Sequence, residues 1–164
     1  MKQTNWQAAA QWLMFSGEDG IQDINQLLKD VSKAQNRDIY DCKIIQQFFW
    51  MANQHFQFGL SWKGLMYQNI YTPDQGQHNW HRDEQFITTG PHRKMSMVIQ
   101  LTDPKEYEGG NFEFDSDIPK PTESKLRQRG TVIVFPSYIK HRAAPVTKGR
   151  RESLAAWIEG PGFV

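Results

Sequence analysis

His81, Arg82 and Asp83 are consecutive in this chain. In an extended segment the first and third point to one face while the second turns to the other. An imidazole and a carboxylate then converge on one point, which is the beginning of a metal site. The pair is weak evidence alone: with five His and ten Asp, about 0.3 His-x-Asp pairs arise by chance. A third group comes from His141, at the end of the run TVIVFPSYIKH, where a neighbouring strand could return it to the same locus. Two imidazoles and one carboxylate on one side of an octahedral Fe(II) leave the opposite positions open for other ligands. Zinc takes the same donors, and three ordinary polar side chains would also fit the spacing.

A second constellation follows in HRAAPVTKGRRESLAAWIEGP. Alternation along its final strand sets Arg151, Ser153, Ala155 and Trp157 on one face, and Arg150, Glu152, Leu154 and Ala156 on the other. Arg151 can therefore face inward. A buried guanidinium is costly unless paired, and its fork matches a carboxylate brought in by a ligand, to which Ser153 could add a hydrogen bond. A structural ion pair or surface exposure would satisfy the same strand pattern.

The elements that must position these groups change character along the chain. Ile21, Ile24, Leu27, Leu28 and Val31 recur at spacings of three and four, which predicts an amphipathic helix. Ile44, Ile45, Phe48, Phe49, Ala52 and Phe56 form a broad apolar stripe, which predicts a second helix over 39–56 packed against a sheet. After Gly64 the chain reads as short runs bounded by Gly, Pro, Asn and Asp: GLMYQNIYT, HNWHRD, RKMSMVIQLT, GNFEF, GTVIVFP and RRESLAAWIEG. These predict strands without intervening helices, hence a mainly β core, sandwich or barrel, supported by N-terminal helices. Residues 84–93 and 115–129 read as loops long enough to act over a site. Gly109-Gly110 reads as a turn, and Trp80 as packing. His55 falls on the second helix, His78 off the strand face of His81, and His92 in a loop, so none of them is expected to bind metal.

Composition bounds the possibilities. A chain of 164 residues suits one domain around a single core. Its 38% hydrophobic and 13% aromatic content separates it from disordered chains. The single cysteine, Cys42, precludes an internal disulfide, no apolar run is long enough for a membrane span, and the polar N-terminus lacks a secretory signal, so a cytoplasmic setting is expected. Residues 1–119 carry 10 Lys and Arg against 15 Asp and Glu, and residues 120–164 carry 9 against 3. A basic C-terminal portion could attract an acidic substrate, a nucleic acid or a phosphate, or simply form a solvated basic loop at Lys120, Lys125, Arg127 and Arg129 with scattered surface charge, and no nucleic-acid-binding motif accompanies it.

The order His-x-Asp, then LTDPKEYEGGNFEF, then GTVIVFPSYIKHRAAPVTKGRRESLAAWI resembles the prolyl-4-hydroxylase-like group of 2-oxoglutarate and Fe(II)-dependent dioxygenases over about 64–160. FFWMANQHFQFGL and MYQNIYTPDQGQHNWHRD resemble the lead-in to the first iron ligand in bacterial and viral members. The resemblance implies a double-stranded β-helix, or jelly roll, over about 64–160, with helical support over about 1–60. It implies iron held by His81, Asp83 and His141, and Arg151 rather than Arg150 on the distal carboxylate of 2-oxoglutarate. It also implies that Tyr71 hydrogen-bonds the cosubstrate near the metal. Gln100 departs from the pattern, standing where some members carry a tyrosine directed at the cosubstrate, and its amide can still donate. The implied reaction couples oxidative decarboxylation of 2-oxoglutarate by dioxygen to hydroxylation of a C–H bond, with ascorbate as reductant. Asp83 distinguishes the chain from halogenating relatives, which lose this carboxylate. A peptidyl proline is the substrate implied; a free amino acid or other small molecule, or a catalytically silent binding module, are the alternatives.

Overall fold

A computed structural model describes residues 11–31, 37–84 and 91–162. Its centre is a six-stranded antiparallel sheet in the order β1-β7-β4-β10-β3-β2. These strands are β1 (Leu13–Phe15), β2 (Arg37–Asp38), β3 (Gly64–Tyr71), β4 (His92–Gln100), β7 (Val132–Pro136) and β10 (Arg151–Gly160). The described residues also form two two-stranded ribbons. One joins β5 (Tyr107–Gly109) to β9 (Val146–Gly149), and the other joins β6 (Phe112–Phe114) to β8 (His141–Ala143).

Strand alternation divides the sheet's faces. Met66 of β3, Met95, Met97 and Ile99 of β4, Val132 and Val134 of β7, and Leu154, Ala156 and Ile158 of β10 join one hydrophobic cluster. Helices α1 (Ile24–Val31) and α2 (Lys43–Phe56) contribute Leu27, Ile45, Phe49 and Ala52 to it, all fully buried. Those helical positions recur at three, four and seven, so each helix has one apolar face and must lay it on the sheet. The opposite face is polar where β4 and β10 meet. The register pairs Ser96 with Trp157 and Gln100 with Ser153, and β3 sets Tyr71 beside Arg151. The β6 ribbon covers part of that face, where Phe114 packs with Ile133, Phe135 and Ile139.

Three expectations are corrected. The segment 39–56 is not one helix: Ile39–Asp41 is a short 3-10 turn capped by the Asp38 carboxylate, which accepts from the Tyr40 N–H. The extended backbone of Cys42 separates this turn from α2. HNWHRD is not a strand, because only His81 bridges, to His141. The N–H groups of Asp83 and Glu84 both donate to the Ser137 carbonyl, each at 3.0 Å, so the chain leaves the ladder after one residue pair. His92 is not in a loop but opens β4, paired with Gly160. The 115–129 loop contains one short helix, α3 (Glu123–Leu126). Of the 84–93 segment, residues 85–90 lie outside the described residues. No described helix is long and apolar enough to cross a membrane.

Candidate functional site

His81, Asp83 and His141 meet, with one donor atom from each lying within 4.8 Å of the others. His141 begins β8, and its backbone exchanges two 3.0 Å hydrogen bonds with His81, so strand pairing sets the two imidazoles together. The His81 and His141 Nε2 atoms stand 3.3 and 3.4 Å from Asp83 Oδ1.

The hydrogen bonds at Nδ1 set what the Nε2 atoms can accept. His81 Nδ1 lies 2.8 Å from the Asn79 carbonyl, and His141 Nδ1 lies 2.8 Å from the Ile139 carbonyl. A carbonyl only accepts, so each Nδ1 carries the hydrogen, and in the neutral ring each Nε2 presents a lone pair toward Asp83. Two lone pairs and a carboxylate oxygen repel, so without a metal the rings meet Asp83 favourably only when a further proton sits on Nε2, and otherwise a cation must lie among them. A metal ion fits that need, and orientation of ligand imidazoles through the other ring nitrogen is the usual supporting arrangement. Burial raises the Asp83 pKa, but hydrogen bonds from His141 and His81, the His141 charge and the Ser96 hydroxyl outweigh it and hold the carboxyl well below its ordinary range. The carboxylate is therefore ionised and ready to bind a cation.

These three groups line a cavity of about 130 Å³, shared with Tyr67, Tyr71, Arg151, Ser153 and Trp157. A single water needs roughly 10–15 Å³, so the space admits a small ligand. Arg151 is 3% exposed. Its Nε donates to Gln100 Oε1 at 3.0 Å and its guanidinium lies 5.1 Å from the centre of the Tyr71 ring. Among the described residues no carboxylate pairs with it. Burial pulls its pKa below the ordinary guanidinium value, while Tyr71 and Tyr107 pull the other way. Arg150 is exposed and paired with Glu152 at 2.7 Å, so the alternation along β10 separates the adjacent arginines as the sequence suggests.

Ser153 is buried on the cavity wall. Tyr71 reaches its place because Gly76 leaves room: a Cβ there, at a φ of +127°, would sit 2.6 Å from the Tyr71 ring. Gln100 has a different position from a free donor. Its Nε2 hydrogens go to the Thr102 carbonyl at 3.1 Å and the Tyr107 hydroxyl at 2.8 Å, while its oxygen receives Arg151. It is placed to orient the guanidinium. Of the other histidines, His55 lies on α2 and His78 contacts the Ala143 carbonyl at 3.2 Å, and neither joins the cluster. Trp80 is not packed away but 40% exposed, with the Arg142 guanidinium 4.7 Å above its ring.

Several residues escaped the sequence reading. Tyr67 lies on the cavity wall, its ring tilted 46° against that of Trp157 with centroids 4.9 Å apart, and burial followed by the nearby Asp83 charge raises its phenol pKa, so it remains a donor. Strand alternation with Tyr71 was the available signal. Tyr107 and Arg127 adjoin Arg151 from β5 and from just after α3, and Ser96 and Ser137 stand behind Asp83. No local pattern announces these four.

Comparison with known proteins agrees with this geometry. Residues 66–159 match the model of the 2OG-Fe(II) oxygenase superfamily. A PKHD-type hydroxylase of Acidovorax ebreus is 30% identical over 92% of this chain and 68% of its own. Another, from a Synechococcus strain, is 36% identical over 54% of this chain, and the match spans only 39% of that relative's length. Among solved structures, the viral collagen prolyl hydroxylase of Paramecium Bursaria Chlorella virus-1, in its 2OG complex, superposes with a TM-score of 0.64 at 16% identity, covering 93% of this chain and 97% of that one. A Pseudomonas putida prolyl-4-hydroxylase gives 0.55 at 23% identity, covering 71% and 63%. These structures share the fold, and the family match extends over most of β3 to β10, including all three clustered groups and Arg151. The chain belongs to the 2OG-Fe(II) oxygenase superfamily.

Proposed function

We propose that this protein is an Fe(II)- and 2-oxoglutarate-dependent dioxygenase that hydroxylates an unactivated C–H bond, with a peptidyl proline as its favoured substrate. The observation that carries the reading is Arg151, a buried cation without a carboxylate among the described residues, in the same cavity as His81, Asp83 and His141. An uncompensated buried charge is expensive, and a dicarboxylate whose far end meets Arg151 would relieve it. The names of the related proteins, PKHD-type hydroxylases and prolyl hydroxylases, support hydroxylation and a prolyl substrate. The same relationship supports a jelly-roll core over about 64–160 within a single catalytic domain.

His81 Nε2, His141 Nε2 and Asp83 Oδ1 would hold the metal. When bound, iron and 2-oxoglutarate supply the oxidising power that places one oxygen atom of dioxygen on the substrate carbon. The chain's own work is placement. Arg151 binds the distal carboxylate, Gln100 Oε1 and the Tyr71 ring fix its guanidinium, and Tyr71 and Ser153 offer hydroxyl hydrogens along the cavity. His81 keeps 44% of its side chain exposed beside Trp80, which leaves that side of the metal cluster for the substrate to approach. Peptides and small molecules are the substrate classes this opening admits. Ascorbate would serve as reductant, and the single, buried Cys42 suits a reducing cytoplasm.

The test is succinate release with Fe(II), 2-oxoglutarate, oxygen and ascorbate, followed by a peptide and amino-acid screen that reads a mass gain of one oxygen atom. Slow succinate formation without substrate, abolished in His81→Ala and Asp83→Ala, is expected. Absence of iron binding and of any 2-oxoglutarate consumption in the wild type would overturn the proposal. Turnover indifferent to Arg151→Ala would remove 2-oxoglutarate from it.

A further inference from the structure

Behind Asp83, on the side away from the imidazoles, two hydroxyls are buried: Ser96 on β4 is 1% exposed and Ser137, just after β7, is fully buried. The Ser96 hydroxyl donates to Asp83 Oδ2 at 2.6 Å, and the Ser96 and Ser137 oxygens are 2.9 Å apart. A serine has one hydroxyl hydrogen. That of Ser96 is spent on Asp83, so the second contact must use the hydrogen of Ser137. The chain of hydrogen bonds therefore has one direction, Ser137 to Ser96 to Asp83, and each link polarises the next. A distance of 2.6 Å lies in the range of a charge-assisted bond to an ionised carboxylate. Ser137 holds the same residue twice, because its carbonyl also accepts the backbone N–H of Asp83 at 3.0 Å.

We infer that Ser96 and Ser137 are positioning residues that reserve Asp83 Oδ2 for hydrogen bonding and offer the metal only Oδ1. Oδ1 is the oxygen that faces both Nε2 atoms, whereas Oδ2 is engaged. A carboxylate able to rotate could bind a cation through both oxygens and fill a coordination position that the cosubstrate or dioxygen needs. The hydroxyl pair prevents that rotation. The fold supports this role: β4 is central in the sheet, and the alternation that puts Met95 and Met97 against the helices puts Ser96 on the site face. Two buried hydroxyls are unfavourable in a β core unless each is satisfied, and among the described residues their hydrogen-bond partners are Asp83 and each other.

This inference rests on the metal reading above, and the experiment separates the two. Co(II) affinity is measured by calorimetry, and the melting temperature is measured without metal, for the wild type, Ser96→Ala, Ser137→Ala and the double variant. Loss of a group that supports a metal ligand typically costs about 10- to 100-fold in metal affinity, and that is expected for Ser96→Ala. Ser137→Ala, which leaves the Asp83 bond in place, should weaken Co(II) binding less. The double variant should match Ser96→Ala, because the two hydroxyls act in series. Wild-type Co(II) affinity in Ser96→Ala, or losses that simply add in the double variant, would overturn the inference while leaving the metal site intact. A melting temperature that falls without change in Co(II) affinity would reduce the pair to a structural role and likewise overturn it. Should Ser96→Ala not fold, Ser137→Ala decides alone, with unchanged affinity counting against. A wild type that does not bind Co(II) at all would refute the metal reading and this inference together.

Discussion

Replacing Arg151 by Met tests whether this buried cation exists for a ligand or for the fold. Met keeps an unbranched side chain of comparable length and removes the charge. Removing it relieves a desolvation penalty that in proteins reaches several kcal/mol per ion. Against this stand the Arg151 Nε bond to Gln100, of a class worth about 1.5–3 kcal/mol, and the stack over Tyr71, worth about 2 kcal/mol when desolvated. The terms nearly cancel, so the stability of the ligand-free protein should change by no more than about 2 kcal/mol. At roughly 2–4 °C per kcal/mol for a domain of this size, the melting temperature should move by less than about 8 °C. Binding should respond very differently. Loss of one partner of a buried charge pair costs about 2–5 kcal/mol, equivalent to roughly 30- to 4,000-fold in affinity. For the wild type with metal, 2-oxoglutarate at a hundred times its dissociation constant should add about 2.7 kcal/mol of protection, and the variant at the same concentration should show less than about 1 kcal/mol. The assay is thermal unfolding with and without 2-oxoglutarate in the presence of Mn(II). A collapse of ligand-free stability by more than about 4 kcal/mol, or retained protection by 2-oxoglutarate, would refute the reasoning.

The pH dependence has a determinate sign. The hydrogen bond to Asp83 raises the His81 pKa above its ordinary 6.5, outweighing burial, with the Asn79 carbonyl assisting. A raised imidazole stabilises the metal-free fold below pH 6.5 and loses that contribution as pH rises through the folded value. Metal must displace the same proton, so Mn(II) affinity by calorimetry should fall about tenfold per pH unit below that value. A flat profile from pH 5 to 8 would contradict it. Gly76→Val should disturb Tyr71, since even a Cβ meets its ring at 2.6 Å in a left-handed backbone; weaker 2-oxoglutarate binding with an intact metal site is expected, read by calorimetry. Phe49→Ala, at a fully buried position under the sheet, should cost about 3–5 kcal/mol in denaturant unfolding without altering metal affinity per folded molecule.

Much of the site was legible because it is written in strand period. The alternation of β10 placed Arg151, Ser153, Ala155 and Trp157 on one wall and sent Arg150 outward. The two N-terminal helices followed from apolar spacing. The HNWHRD segment misled, because its alternation resembles a strand while its N–H groups turn to the Ser137 carbonyl. Strands β1, β5, β8 and β9 are only three or four residues long, too short for a period to declare itself. Trp80 read as packing because an aromatic residue usually is, and only the assembled surface reveals its exposure.

By itself, the sequence determined the ligand types, the mainly β character after Gly64 and the inward arginine, since each depends on residue chemistry or on a local period. Tertiary structure alone decided that His141 bridges to His81, that the Gln100 amide hydrogens are spent on Thr102 and Tyr107, and that Ser96 and Ser137 stand behind Asp83. Those relations join residues distant along the chain through side-chain hydrogen bonds. No periodicity encodes such bonds, and they exist only once the sheet has set its register.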